Sequence, residues 1–241
     1  MRKEAVAYWD SVAARSEVDA QDAVLAGFRT KREFDDSGRV DAAHLVLPFV
    51  SSSDAVLDLG CGLGRLTKWT SPACRDVLAV DISTEMLRRA RVNLAGFKNV
   101  RFRRLPRSLR IPTPDRSIDF LLYYHVSEHL EREDNLKILK EIKRCLRRTG
   151  RALVEMSLYD HPDNRREFLK WARLGSDEGV GVRSRFYTEE EARMMLSLAG
   201  LHPQLRLYVP GKFVVVVTPR GQDLLGAMPL VRIAPAELRR E

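Results

Sequence analysis

The 241-residue sequence predicts an α/β fold with a mostly parallel sheet, and three observations support this. Short apolar runs alternate with longer segments of helical periodicity, which is the pattern of strands joined by crossover helices. The first apolar run ends in a glycine-rich turn, and the second ends at an acidic residue about 20 positions further on. Pro210 and Gly211 separate the last two runs, which is typical of an antiparallel hairpin.

These patterns predict a Rossmann-like sheet of seven strands with helices on both faces and a C-terminal antiparallel hairpin. Five parallel strands are expected at 55–59, 77–80, 100–103, 118–123 and 151–156, and the hairpin strands at 205–209 and 213–218. Ser83 is the expected N-cap of one helix, and Thr188 with Glu191 forms the expected capping box of another. A further helix is expected over 133–148, before Gly150.

The length is that of one α/β domain with additions. Residues 1–38 are expected to form an N-terminal helical lid, residues 39–218 the Rossmann-like domain, and residues 219–241 a C-terminal tail. Within the domain, residues 157–187 are a long connection that we expect to form a second lid, because it leaves the carboxyl edge of the sheet.

Composition excludes several classes of protein. No run approaches the ~20 apolar residues that cross a bilayer, and acidic residues from Asp10 onward argue against a signal peptide. The cysteines Cys61, Cys74 and Cys145 lie far apart and form no CxxC pair, which favours free thiols and argues against a metal site. We therefore expect a cytoplasmic protein with no membrane partner and no bound metal.

The net charge is +8, and arginines cluster within 101–110 and again within 143–151. Such basic patches can attract nucleic acid. Phe102 is the only aromatic residue within these clusters, so they offer little aromatic surface on which nucleic acid bases could stack. A solvated basic face is the favoured interpretation, and nucleic acid is the less favoured partner.

The turn after the first strand carries Gly60, Gly62 and Gly64, which remove side chains where a backbone must bend tightly beside a ligand. Asp81 ends the second strand, where it can accept hydrogen bonds from two ribose hydroxyls.

A dinucleotide cofactor is disfavoured. Its fingerprint requires a third glycine three residues after the second, and Arg65 occupies that position. Asp58, inside the strand before the glycines, is no part of that fingerprint. It can instead orient the turn and meet a cationic amino acid moiety.

The motifs Asp58 to Arg65, Val80 to Ser83, Asp119 to Leu130 and Arg144 to Gly150 resemble those of class I S-adenosylmethionine-dependent methyltransferases. The resemblance covers about residues 39–218 and is to the small-molecule branch. It implies S-adenosylmethionine as cofactor and O- or N-methylation of a small acceptor, possibly in specialised metabolism, by a monomer or homodimer. The alternatives are an RNA or protein methyltransferase that docks through the arginines, and a non-catalytic cofactor-binding subunit, which the intact motifs disfavour.

By the same resemblance, one set of residues surrounds the cofactor. Asp58 and the glycine turn line its methionine half, Asp81 holds the ribose, and Ile82 packs on the adenine with Met86 nearby. The full set is Arg39, Asp58, Gly60, Cys61, Gly62, Gly64, Asp81, Ile82, Met86, Ser108 and Tyr124.

Some of these assignments have structural alternatives. Ile82 and Met86 also suit ordinary core packing, and Arg39, which resembles the partner of the cofactor carboxylate, also suits a free surface position. After the third strand the family usually has an acid that accepts from the adenine amino group, whereas residues 104–109 contain none. Ser108 or nearby backbone is the expected substitute.

The sulfonium of the cofactor already activates the methyl group, so orientation of the acceptor is the main requirement. A base is needed only for a hydroxyl, a protonated amine or a carbon acid. His125 and His129 follow the fourth strand one helical turn apart, and a helix there would turn both to one side. His129 resembles the catalytic base of several small-molecule relatives and His125 is the second candidate, although either also suits a hydrogen-bonded histidine at a helix start.

Overall fold

The computed structural model describes residues 3–24, 30–174, 183–221 and 230–232, and eight strands in that part form one sheet. The strands are β1 (Ala55–Leu59), β2 (Asp76–Asp81), β3 (Val100–Arg104), β4 (Ile118–Tyr123), β5 (Leu146–Ser157), β6 (His202–Val209), β7 (Lys212–Thr218) and β8 (Leu230–Arg232). Their order is β3-β2-β1-β4-β5-β7-β6-β8. Strands β1 to β5 are parallel, and β7 runs antiparallel to both β5 and β6.

The described helices are α1 (Lys3–Ala13), α2 (Glu17–Val24), α3 (Lys31–Asp41), α4 (Thr67–Thr70), α5 (Thr84–Asn93), α6 (Arg132–Cys145), α7 (Pro162–Leu174) and α8 (Glu189–Ala199). A π-helical turn, Ala42–Val46, continues α3 toward β1. Among the described helices none has the length and apolar character needed to cross a membrane.

The strand order reverses beside β1, because the chain moves outward to β2 and β3 and then returns to the other side of β1 at β4. Such a reversal leaves a crevice at the carboxyl ends of the central strands, where open α/β sheets bind ligands. All five residues of β1 are buried, and so are Phe120, Leu121 and Leu122 of β4. The strands beneath the crevice therefore belong to the buried core.

The seven predicted strands and their hairpin are confirmed, with shifted ends. The predicted helix over 133–148 is too long, because α6 ends at Cys145 and Leu146 already pairs with Ile118 in the sheet. The predicted tail contains one strand that the sequence did not indicate, β8, which pairs parallel with β6. Helix α3 runs across the proposed boundary between residues 38 and 39.

The predicted helix caps are confirmed. The Ser83 hydroxyl accepts a hydrogen bond from the Met86 amide at 3.0 Å. Thr188 Oγ1 accepts from the Glu191 amide at 3.1 Å, and Glu191 Oε2 accepts from the Thr188 amide at 3.0 Å. These bonds satisfy amides that the first turn of a helix leaves unpaired.

Replacement of Thr188 by alanine removes one of the two bonds of that capping box. We expect the free energy of unfolding to fall by about 0.5–2 kcal/mol, which lowers the Tm of a domain of this size by ~2–4 °C per kcal/mol. Thermal unfolding followed by circular dichroism measures the shift. Ser197→Ala, at an exposed position of the same helix, is the matched control, and equal melting of both variants would contradict the capping role.

Candidate functional site

A cavity that is partly open to solvent lies at the carboxyl ends of β1, β2 and β4. Most of the residues predicted to form the site line it: Asp58, Gly60, Cys61, Gly62, Asp81, Ile82, Met86, Tyr124, His125 and His129. Trp9 of α1 and Val24 of α2 also line it; both lie in the predicted N-terminal lid, but the sequence did not assign them to the site.

Gly64 and Arg39 lie outside this lining. A Cβ atom on Gly64 would stand 2.6 Å from Leu94 Cδ1, so this glycine makes room for the end of α5. The Arg39 side chain is 57% exposed and pairs with Asp36 at 3.7 Å. Arg39 therefore faces solvent and does not reach the place expected for a cofactor carboxylate.

Ser108 also lies outside the lining. Its side chain is exposed, and its hydroxyl accepts a hydrogen bond from the Arg110 amide at 3.5 Å. Leu105 and Leu109 line the cavity from the same loop. The wall expected to carry an adenine acceptor is therefore apolar, and the Ser108 hydroxyl does not substitute for the missing acid.

The glycine turn bends where side chains would collide with the cavity wall. Gly60 has φ +81°, and a Cβ atom on it would stand 2.3 Å from Val126 Cγ2. Its amide donates to the Val80 carbonyl at 2.7 Å, which ties the turn to the end of β2. Backbone thus lies directly against the cavity.

Asp81 joins the glycine turn to the start of α5. Its Oδ2 accepts from the Gly62 amide at 2.9 Å, and its Oδ1 accepts from the Ser83 amide at 2.8 Å. Burial raises the pKa of Asp81, although the hydrogen bonds from Ser83 and Gly62 oppose that rise. Each oxygen makes one of these bonds and retains acceptor capacity toward the cavity.

Helix α1 docks on the same helix start through Asp10. Its Oδ1 accepts from the Ser83 hydroxyl at 2.6 Å and from the Glu85 amide at 3.2 Å. A carboxylate is favourable at a helix N-terminus, because the helix dipole and unpaired amides attract it. This contact fixes the neighbouring Trp9 against the cavity.

Asp58 is the second buried carboxyl group of the site. It accepts a hydrogen bond from Thr67 Oγ1 at 2.5 Å. Burial raises the pKa of Asp58 to about 6; the Thr67 hydrogen bond opposes this rise and the charge of Asp81 adds to it. A cationic ligand group beside Asp58 would favour its ionised form.

The two predicted histidines meet at Glu128, which the sequence did not single out as a ligand-facing residue. Glu128 Oε1 lies 3.3 Å from His125 Nδ1 and 3.6 Å from His129 Nε2. The helix that would turn both to one side has not begun here, since α6 begins only at Arg132 and residues 127–129 form a 3-10 turn. Both imidazole rings point the same way because each faces the carboxylate of Glu128.

Glu155 and Lys212 complete this cluster from β5 and β7. Lys212 Nζ donates to Glu155 Oε1 at 3.0 Å and lies 3.3 Å from His125 Nδ1. Glu155 Oε2 accepts from the His125 amide at 2.9 Å and holds that residue at φ +59°, where few non-glycine residues lie. Lys212 lies 87 positions from His125, and no local sequence pattern links them.

The charges in this cluster set the ionisation of its members. Burial alone would raise the pKa of Glu128, but the charge of Lys212 and the hydrogen bond with His125 outweigh it and hold that pKa well below its ordinary value. Burial would lower the pKa of Lys212, yet Glu155 and Glu128 raise it. Glu128 is thus a carboxylate and Lys212 an ammonium group at neutral pH.

The ligand atoms of His125, Glu128 and Glu155 lie within 4.8 Å of one another, a grouping that could hold a metal ion. The sequence predicted no metal, and that expectation stays a prediction. Lys212 already places a positive charge 3.0 Å from Glu155 and 3.9 Å from Glu128. The ammonium group supplies the neutralisation that a metal would bring.

His129 has one ring nitrogen without a partner. Its Nδ1 is buried and makes no hydrogen bond with any residue in the described part of the chain. The Trp9 ring meets the imidazole edge-on, with centroids 4.8 Å apart. Burial lowers the pKa of His129, although Glu128 opposes this, so the ring is neutral at neutral pH. An unpaired buried nitrogen costs stability unless a ligand uses it.

Several arginines of the basic clusters are paired within the protein. Arg101 binds Asp76 at 2.8 Å. Arg144 binds Glu141 at 2.7 Å and Asp115 at 2.6 Å. These ion pairs reduce the positive charge that the clusters present to a polyanion.

Comparison with known proteins identifies the central part of the chain. Residues 57–154 match the family model described as a methyltransferase domain. An uncharacterised methyltransferase of Schizosaccharomyces pombe is 30% identical over 112 residues, which is 46% of this chain and 42% of the yeast protein. The chain thus spans less than half of that relative.

Solved structures share the fold. A SAM-dependent methyltransferase of Leishmania major has a TM-score of 0.62 at 18% identity, covering 89% of this chain and 80% of its own. A SAM-dependent methyltransferase of Aquifex aeolicus has a TM-score of 0.55 at 21% identity, covering 80% of this chain and 100% of its own.

The state of His129 can be measured without any ligand. We expect the His129 ring to titrate below the ordinary histidine pKa of ~6.5, and Glu128→Gln to lower that pKa further because the carboxylate raises it. Since the unfolded chain then binds more protons than the folded protein just below pH ~6.5, this histidine opposes folding at low pH, and that penalty is lost as the pH rises through the ordinary value. Ring-nitrogen NMR titration gives the values, with His129→Gln to assign the signal. A His129 pKa at or above the ordinary value would contradict the burial argument.

Proposed function

The chain contains a domain of the class I S-adenosylmethionine-dependent methyltransferase family, and from that premise we propose that it transfers the methyl group of S-adenosylmethionine to a small-molecule acceptor. The observation that carries the proposal is the hydrogen bond from the Gly62 amide to Asp81. This bond places the glycine turn and the Asp81 carboxylate together at one end of the cavity. The glycine turn lets an adenosyl ligand approach the backbone closely, and the carboxylate can accept hydrogen bonds from its ribose hydroxyls.

The residues present suit this cofactor. Asp81 accepts from the ribose hydroxyls with the acceptor capacity that its two backbone bonds leave. Ile82, Leu105 and Leu109 provide apolar surface for the adenine. Asp58 faces the ammonium group of the amino acid moiety, and that charge shifts the Asp58 pKa of about 6 downward.

The cofactor supplies a methyl group already activated on a sulfonium centre, so the protein mainly has to orient the acceptor. His129 is the proposed base. With its Nε2 proton turned toward the carboxylate of Glu128, Nδ1 carries an unpaired lone pair. This nitrogen is enclosed beside Trp9, so it can take a proton from a hydroxyl or amine once that side chain moves aside. His125 is less available, because its Nδ1 already faces Lys212 and Glu128.

A small acceptor suits the shape of the site. The site is a concave cavity, and Trp9 of the N-terminal helix α1 lines one side of it. An RNA or an acidic protein would have to bind through the arginine clusters. Part of their positive charge is already neutralised by ion pairs with Asp76, Asp115 and Glu141. Both observations favour a metabolite over a macromolecule.

Asp81→Asn tests the cofactor site. We expect the affinity for S-adenosylhomocysteine to fall about 10–100-fold, because hydrogen bonds to a charged group are worth ~1.5–3 kcal/mol. Isothermal titration calorimetry measures it. Asp76→Asn, at the opposite end of β2 and outside the cavity lining, is the matched control. Unchanged affinity in Asp81→Asn would refute the ribose role, and wild-type protein that binds no S-adenosylhomocysteine would refute the proposed function.

Radiolabelled S-adenosylmethionine tests the acceptor class when it is supplied with a metabolite extract, total RNA or a protein extract. We expect label in the metabolite fraction. His129→Ala should lower transfer ~10²–10⁴-fold, as for loss of a general base, while S-adenosylhomocysteine still binds as it does to wild type. Transfer to RNA that collapses between ~50 and ~200 mM salt would establish the RNA alternative. If His125→Ala abolishes transfer and His129→Ala does not, the base is His125.

A further inference from the structure

The end of the cavity that carries the histidines is apolar. The charged side chains among the described lining residues are Asp58, Arg65 and Asp81, and all three lie beside the glycine turn. The lining that comes from α1, from the segment after β4 and from α6 consists of the two histidines with Trp9, Val126, Leu130 and Ile138. An acceptor bound at this end therefore meets no side chain that would pair with a charge of its own.

The charges behind the histidines are already matched. Lys212 Nζ donates to Glu155 Oε1 at 3.0 Å and lies 3.9 Å from Glu128 Oε2, and these three side chains lie outside the cavity lining. Tyr123 does line the cavity, but its hydroxyl donates to Asn135 Oδ1 at 2.7 Å within the core. Among the lining residues that the structure describes, only His129 has a buried side-chain polar atom without a partner.

That atom, Nδ1 of His129, is enclosed beside the ring of Trp9. The two ring centroids are 4.8 Å apart and the planes cross at 73°. Trp9 is half-buried and packs against the core cluster that includes Met86. The next residue, Asp10, ties the backbone of α1 to Ser83 and to the Glu85 amide, so the indole can turn aside while the helix stays in place. The displaced indole would leave a flat, apolar slot beside a nitrogen that needs a hydrogen-bond donor.

We propose that the methyl acceptor is an uncharged aromatic alcohol of the phenol type, whose ring replaces the Trp9 indole beside His129 and whose hydroxyl donates to His129 Nδ1. This inference rests on the proposed function and specifies its acceptor. A base is needed for a hydroxyl, whereas a neutral amine already has a free lone pair. An ammonium group would bring an unpaired charge into an apolar wall. The flat slot and the imidazole ring favour an aromatic partner.

The transfer step balances with these groups. A lone pair of the acceptor oxygen forms the bond to the methyl carbon, and the carbon–sulfur bond breaks with its electron pair left on a neutral sulfur. The hydroxyl proton ends on His129 Nδ1. The imidazolium that results lies beside Glu128, whose Oε1 is 3.6 Å from His129 Nε2, so the carboxylate stabilises the positive charge as it forms.

Three probes test the charge of the acceptor: p-cresol, p-hydroxybenzoate and tyramine share the ring and the hydroxyl and differ in charge. With radiolabelled S-adenosylmethionine, we expect kcat/KM for p-cresol to exceed that for either charged probe at least about 10-fold, because an unpaired buried charge is costly. A charged probe methylated as fast as p-cresol would overturn the inference. So would p-cresol left unmethylated by a protein that binds S-adenosylhomocysteine, although the proposed function would stand. If S-adenosylhomocysteine does not bind, both fail.

Trp9→Ala tests the slot. If the indole occupies the place of the acceptor ring, its removal should lower the KM for p-cresol several-fold, because the acceptor no longer competes with a side chain. Trp171→Ala removes a tryptophan of α7 that lies outside the cavity lining, and this matched control should keep the wild-type KM. A KM that rises in Trp9→Ala would show that the indole covers the acceptor and does not give way to it, which would overturn the displacement.

A measurement on wild-type protein covers the case in which Trp9→Ala does not fold. In protein saturated with S-adenosylhomocysteine, p-cresol should shift the Nδ1 signal of His129 in ring-nitrogen NMR, because its hydroxyl donates to that atom. Toluene, which has the same ring and methyl group without the hydroxyl, is the control and should not produce this shift. Equal shifts from both compounds, or none from p-cresol, would contradict the hydrogen bond and overturn the inference.

Discussion

The carboxylate of Asp81 connects the elements on which the candidate site depends. It accepts one amide from the turn after β1 and another from the start of α5, so the distance between these elements is set by two hydrogen bonds. Both amides come from segments that must also approach a ligand. Without such an acceptor, the Gly62 and Ser83 amides would remain unpaired at this point, although the Gly60 amide would still tie the turn to β2. The reversal of strand order opens the crevice, and Asp81 gives it a defined shape.

The same arrangement leaves the amino acid end of the cavity with an excess of negative charge. Burial raises the pKa of both carboxyl groups; the charge of Asp81 adds to the rise at Asp58, and the charge of Asp10 adds to the rise at Asp81. Arg65 compensates part of this, but it shares its own charge with Asp41. A ligand that brings a cation to Asp58 would offset part of the negative charge buried there.

Much of the fold and part of the site could be predicted from the sequence, because both depend on local signals. The positions of the strands, the glycine turn and the caps at Ser83 and Thr188 depend on a few adjacent residues, and the structure confirms them, whereas β5 and β6 are longer than predicted. Arg39 and Ser108 were expected in the cavity from motif position alone, and the direction of their side chains depends on packing that no motif encodes. Trp9 and Lys212 were missed because their contacts with His129 and His125 join distant parts of the chain.

Lys212 also shows what the antiparallel hairpin contributes to a parallel sheet. The parallel strands present their carboxyl ends to the cavity, so only their last residues reach it. Strand β7 runs the other way, and its register pairs Lys212 with Ser157, the last residue of β5. Its first residue therefore lies at the edge where the parallel strands end. Lys212 can therefore neutralise Glu128 and Glu155 from the hairpin, and not from the loops that surround the ligand site. Because Glu128 then stays ionised and faces both histidines, the hairpin, although distant in sequence, governs the charge at the end of the cavity where the proposed base lies.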